Sequence, residues 1–136
     1  MPVCFLKKRA KEDCSLKPRM SLTCWMVQSG RESSSILAQI YEGFGWADVI
    51  VFASPQYWGT ISGQLKVVID RLYAPLFRYG SEMRKEFVVI MTSRGNMYAM
   101  TEEFFAIFSR YLGWKNIGNI LGTGKELQAQ MLGKSI

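Results

Sequence analysis

Residues 47–59 read Ala47-Asp48-Val49-Ile50-Val51-Phe52-Ala53-Ser54-Pro55-Gln56-Tyr57-Trp58-Gly59. The unbroken β-branched and aromatic run from Val49 to Ala53 is the pattern of a strand buried on both faces, as in a parallel sheet. Ser54-Pro55 reads as its end, because proline lacks an N–H and favours a turn. A loop over residues 56–61 then leads to a helix starting near Ser62. Its apolar positions Leu65, Val68, Ile69, Leu72, Tyr73 and Leu76 form one amphipathic stripe.

The pattern extends outward on both sides. Upstream, Ser33, Ser34 or Ser35 can cap a helix whose apolar face is Ile36, Leu37, Ile40, Tyr41 and Phe44. Downstream, residues 77–85 read as a charged loop, and Glu86-Phe87-Val88-Val89-Ile90-Met91-Thr92 is a second buried strand. Ser93-Arg94-Gly95-Asn96 is its exit loop. A third helix carries Thr101, Glu102 and Glu103 early, where acidic groups favour the helix dipole. Its expected buried face is Met100, Phe104, Ile107, Phe108 and Tyr111, with Gly113 closing it. A short strand over residues 117–121 and a short helix over 126–132 follow. Strands alternating with amphipathic helices imply an α/β fold with a parallel sheet and right-handed crossovers. In such sheets ligands bind beyond the carboxyl ends of the strands, which selects residues 54–60 and 92–98.

With 136 residues the chain is long enough for one domain. Its organisation divides at residue 33. Residues 1–33 hold seven Lys/Arg against three Asp/Glu, mix in Pro18 and Gly30, and show no sustained period. They read as an irregular basic segment, and residues 34–136 as the domain. The +6 net charge leaves a nucleic-acid partner conceivable, but no recognised binding module is present, and a solvated arm is the simpler reading. No apolar run reaches the roughly 20 residues of a membrane span, and no secretory signal is evident. Three cysteines, an odd number, fit a reducing cytoplasm better than a disulfide framework. Cys4, Cys14 and Cys24, ten residues apart, lack the spacing of a metal site. The chain has no histidine, which removes the commonest general base.

Within residues 54–60, Tyr57 and Trp58 are adjacent aromatics in a polar loop. Such side chains could hold a flat cofactor ring, and Gly59 would let backbone approach it. The plainer alternative is that both rings cover the core edge. Thr92, Ser93, Arg94 and Gly95 offer hydroxyls, a guanidinium and a flexible backbone, suited to a ring or a phosphate, but so short and common a segment is not specific and a polar turn is the default reading. Lys66 and Asp70 share a helix face with Arg71 beside them, and a surface ion pair is the simpler account.

The run from Ala47 to Gly59, followed by Gln64-Leu65-Lys66 and Asp70-Arg71, resembles the NAD(P)H-dependent FMN reductase family, in the branch that includes iron–sulfur flavoproteins and flavodoxin-like quinone reductases. The resemblance implies a flavodoxin-like three-layer sandwich with non-covalent FMN. By position, Ser54, Pro55, Gln56, Tyr57, Trp58 and Gly59 match the family's flavin-ring loop, and Thr92, Ser93, Arg94 and Gly95 a second ring-side loop. The family's first buried strand, which leads into its phosphate loop, has no readable counterpart in residues 1–33, so that strand is expected to be absent or altered.

The function implied is electron transfer from NAD(P)H to a quinone, flavin or similar small acceptor, by a homo-oligomer. No side chain need act as acid or base, because the flavin carries the redox chemistry. The alternatives are a non-enzymatic flavin electron carrier and an inactive truncated fragment.

Overall fold

The computed structural model describes residues 3–6, 40, 43–45, 47–73 and 84–136. The elements are β1 (Val3–Leu6), β2 (Val49–Tyr57), β3 (Thr60–Ile61), α1 (Gly63–Arg71), β4 (Glu86–Thr92), α2 (Ala99–Leu112), β5 (Lys115–Leu121) and α3 (Glu126–Ser135). Ile40 and residues 43–45 are helical as well.

The sheet runs β1-β2-β4-β5, with β3 folded back on β2. β2, β4 and β5 are mutually parallel, so their carboxyl ends emerge together. The flavodoxin-like α/β reading therefore holds. β1 stands in the segment read as irregular, and it pairs antiparallel to β2, from Val3 opposite Phe52 to Leu6 opposite Val49. A four-residue run is too short to show a period amid charged neighbours. Its carboxyl end therefore lies at the amino end of β2, away from the edge where the parallel strands deliver their loops.

Side chains alternate across the sheet with a period of two. Ile50, Phe52, Phe87, Val89 and Met91 join Leu65, Val68, Ile69, Leu72 and Phe105 in one core. That face carries α1 and α2. α3 lies on the other, where Leu132 packs so closely over Gly118 that a Cβ there would meet its Cδ2 at 2.7 Å. Three layers result.

Two readings need correction. β2 does not stop at Ser54-Pro55; it continues to Tyr57. Pro55 pairs with Thr92 of β4 on one side, while β1 reaches only Phe52 on the other. A residue without an N–H is tolerated where one edge of a strand is open. The second concerns α2, whose buried residues are Thr101 and Phe105. Phe104 and Phe108 are half-buried, and Met100, Ile107 and Tyr111 are exposed. Thr101 and Phe105, four residues apart, share the inward face: the Phe105 ring packs 5.6 Å from Phe52 and 5.9 Å from Phe87, and Thr101 meets hydrogen-bond partners described below. Helix α1 follows its expected stripe at Leu65, Val68, Ile69 and Leu72, but Tyr73 is exposed. Gly113 closes α2 in the left-handed conformation, φ 64°. Leu76 and the loop around Gly80 lie outside the described residues, as do the cap at residues 33–35, Cys14 and Cys24.

Helix α1 starts at Ser62, whose side chain accepts a hydrogen bond from the Leu65 N–H. The Ser62 N–H in turn donates to Ser54 Oγ at 3.1 Å. Ser62→Ala should lower stability by about 1 kcal/mol through the lost cap. Comparing urea midpoints of variant and parent checks this, and equal midpoints would refute it.

Candidate functional site

Three strand ends converge at one edge of the sheet. β2 ends in a two-residue turn, Trp58-Gly59, because Tyr57 pairs directly with Thr60 of β3. Both central residues have positive φ, 52° at Trp58 and 79° at Gly59, as a type I′ hairpin turn requires. Glycine adopts this freely, but a bulky side chain there is an outlier. Trp58 is 99% exposed, so no packing of its own ring compensates. β4 ends at Thr92, opposite Pro55, and residues 93–98 form its exit loop. β5 ends at Leu121, opposite Met91 of β4. The Gly122 N–H donates to the Met91 carbonyl at 2.9 Å. Gly122 and Gly124 both take positive φ, so a third tight loop borders the same edge.

The ten expected site residues are placed differently from one another. Tyr57 and Trp58 are exposed, beside exposed Met97 and Met100. Together they make an apolar, partly aromatic surface in front of the strand ends. Thr92, Arg94 and Gly95 are exposed, Ser93 is half-buried, and the Gly95 N–H donates to Ser93 Oγ at 3.2 Å. Gly59 is half-buried; a Cβ on it would come within 3.3 Å of Met100 Sδ. Pro55 is half-buried on the opposite face of the strand from Ser54 and Gln56. Ser54 faces the core, where its hydroxyl donates to the Pro55 carbonyl at 2.7 Å. Gln56 also points inward. Its Nε2 donates to the Met97 carbonyl at 2.6 Å and to Thr101 Oγ1 at 3.3 Å.

The sequence places Thr101 in the first turns of a helix and Tyr98 at the end of the 92–98 loop without a role for either side chain, and residues 122–125 were not read as part of the site. Thr101 is fully buried, and its hydroxyl donates to the Gly59 carbonyl at 3.3 Å. A buried threonine early in a helix looks like any other residue of the first turn until its partners are known. The Gly122-Thr123-Gly124 run after a strand was the one available signal for the third loop. Lys66 and Asp70 pair on the exposed face of α1, as the simpler reading expected, and Lys66 lies 6.0 Å from the Phe104 ring centroid.

Among the described residues, Gln56 Oε1 and the Tyr98 hydroxyl are buried with no hydrogen-bond partner. Such atoms are normally satisfied by a ligand or an ordered water. Among the described residues no group of three or more His, Cys, Asp or Glu could hold a metal ion.

Residues 13–128 match the family described as NADPH-dependent FMN reductase. The chain belongs to that family. It is also 35% identical over 61 residues to an iron–sulfur flavoprotein of Methanocaldococcus jannaschii. That stretch is 45% of this chain and 31% of the relative, so the chain matches about a third of that protein's length. In structure it is similar to the Trp repressor binding protein of Bacillus subtilis, with a TM-score of 0.56 and 23% identity, over 76% of this chain and 67% of the other. This likeness speaks to the fold. β1 precedes the family match.

Among the described residues, the exposed rings of Tyr57 and Trp58 and the turn without side-chain bulk at Gly59 are of a kind that would suit the ring portion of an FMN. Bound there, FMN would supply two-electron redox chemistry. The Ser- and Arg-containing run at residues 31–35 lies outside the described residues. No described helix is long and apolar enough to cross a membrane.

Proposed function

We propose that this chain binds FMN against residues 57–60 and 92–98 and passes electrons from NAD(P)H to a quinone, flavin or similar small acceptor. The observation that carries this is the Trp58-Gly59 turn. A fully exposed tryptophan is held in a costly backbone conformation at the carboxyl edge of a parallel sheet, in a member of an FMN reductase family. Strain of this kind persists where the surroundings impose it, and it clusters at functional sites. Tyr57, Trp58 and Gly59 are the ring wall in this reading. Thr92, Ser93, Arg94 and Gly95 supply the second wall. Ser54, Pro55 and Gln56 support them from behind, since two of the three face the core.

The protein is expected to work in the cytoplasm as a homo-oligomer. The net charge of +6 favours an enzyme acting on small anionic substrates such as NAD(P)H over a carrier that docks on a basic partner. Mixing purified protein with FMN, followed by gel filtration, should give a yellow species that oxidises NADPH when a quinone is added. A folded protein that elutes colourless would overturn the proposal. A yellow protein reduced only by another protein, and not by NAD(P)H, would make it a carrier. Light scattering on the same sample reads the oligomer.

A further inference from the structure

We infer that Thr101 is a positioning residue for the ring-side turn, its buried hydroxyl holding Trp58-Gly59 in the left-handed conformation and tying that turn to the loop after β4. The geometry stands by itself. Its consequence for FMN rests on the function proposed above.

Thr101 occupies the third position of α2 and is 0% exposed. Burying a hydroxyl is unfavourable unless it is hydrogen-bonded. Here it accepts from Gln56 Nε2 and donates to the Gly59 carbonyl, both at 3.3 Å. Gln56 Nε2 also donates to the Met97 carbonyl at 2.6 Å. One hydroxyl therefore links the end of β2, the turn itself and, through Gln56, the loop of residues 93–98. On the same helical turn, Met100 Sδ sits 3.3 Å from the point a Cβ of Gly59 would occupy.

The turn needs such a tie. Trp58 is 99% exposed, so its ring contributes nothing to holding φ at 52°. β3 is only two residues long, and so short a hairpin is weak without further contacts. The Thr101 hydroxyl grips the turn at its own carbonyl. It also makes the two ring-side loops one unit, ordered before a ligand arrives, which lowers the entropic cost of binding. Sequence periodicity gave this helix position no part in the core, where it lies on the inward face beside Phe105.

The test compares Thr101→Val, which removes the hydroxyl and keeps the shape, with Thr101→Ser, which keeps the hydroxyl, and Thr101→Ala, which has neither. Hydrogen–deuterium exchange of the flavin-free proteins reads the turn, with peptides from β4 and β5 as the control for folding. FMN titration reads the site. In Thr101→Val and Thr101→Ala, the peptide covering residues 56–62 should exchange about tenfold faster and the FMN dissociation constant should rise roughly tenfold, the scale of a lost buried hydrogen bond. Thr101→Ser should stay near the parent in both. Exchange in Thr101→Val equal to the parent, or in Thr101→Ser as fast as in Thr101→Ala, would overturn the inference. If Thr101→Val does not fold, the serine and alanine variants decide it between them. A parent that fails to bind FMN while Thr101→Val loosens the turn would sink the flavin reading and leave the tie standing. A parent that binds FMN with an unchanged turn in Thr101→Val would do the reverse.

Discussion

Phe52→Ala should lower folding stability by about 3–5 kcal/mol, the usual cost of emptying a buried aromatic site. Phe52 is 0% exposed and sits at the centre of the sheet face that carries α1 and α2. Its ring centroid lies 5.6 Å from those of Phe105 and Phe108, 5.9 Å from Phe87 and 6.4 Å from Phe44. Edge-to-face geometry with Phe87 and Phe108 (interplanar angles 66° and 87°) adds to the simple burial of area. These neighbours come from separate stretches of chain, so the cavity cannot close by moving one of them. Against a typical total of about 5–15 kcal/mol, the loss would remove much of the stability. The melting temperature should fall by roughly 10–20 °C. Val51→Ala, on the half-buried opposite face, should cost only about 1 kcal/mol. Urea unfolding of both variants checks the contrast. Equal losses would mean that the aromatic cluster is not the core.

Trp58→Asn should move stability and flavin binding in opposite directions. The change places an asparagine directly before Gly59 at a turn with both φ positive, and asparagine followed by glycine is the preferred pair for a type I′ hairpin. Asparagine tolerates the left-handed region far better than a bulky side chain does, so about 1 kcal/mol of strain should be relieved. Because Trp58 is 99% exposed, no packing is lost in exchange. The flavin-free protein should therefore become more resistant to urea. If Trp58 covers the flavin ring, FMN affinity should fall roughly tenfold with the loss of an aromatic contact of about 1–1.5 kcal/mol. A variant that loses stability shows that Trp58 makes contacts the geometry does not reveal. One that gains stability and keeps its FMN affinity removes Trp58 from the ring wall. The paired measurement is informative because a purely structural residue would not separate the two quantities.

The strands were legible where burial is nearly complete. The run from Val49 to Ala53, and Glu86–Thr92, announced themselves because a parallel strand covered on both faces leaves no place for polar residues. Helix α1 was legible because its stripe at Leu65, Val68, Ile69 and Leu72 matches the helical repeat. Helix α2 and its Gly113 cap were legible but its inward face was not, because phenylalanines at 104, 105 and 108 satisfy more than one helical phase. Which of them faces inward depends on packing against Phe52 and Phe87 and on the Thr101 hydrogen bonds, and contacts with residues so distant in sequence have no local signature. Pro55 misled for a related reason. Its effect depends on whether a neighbouring strand needs its N–H, and pairing is a property of the sheet.

The sequence by itself determined the α/β class, the parallel core strands, and residues 54–60 and 92–98 as the segments at the carboxyl edge of the sheet. It did so because burial and chain order are written locally, in hydrophobic pattern and alternation. Only the tertiary structure decided that β1 runs antiparallel beside β2, and that Ser54 and Gln56 turn inward while Tyr57 and Trp58 stay outside. It alone showed the left-handed turn at Trp58 and its tie to Thr101. Strand direction, side-chain facing and backbone strain arise from contacts between distant segments, and those contacts exist only once the sheet has formed.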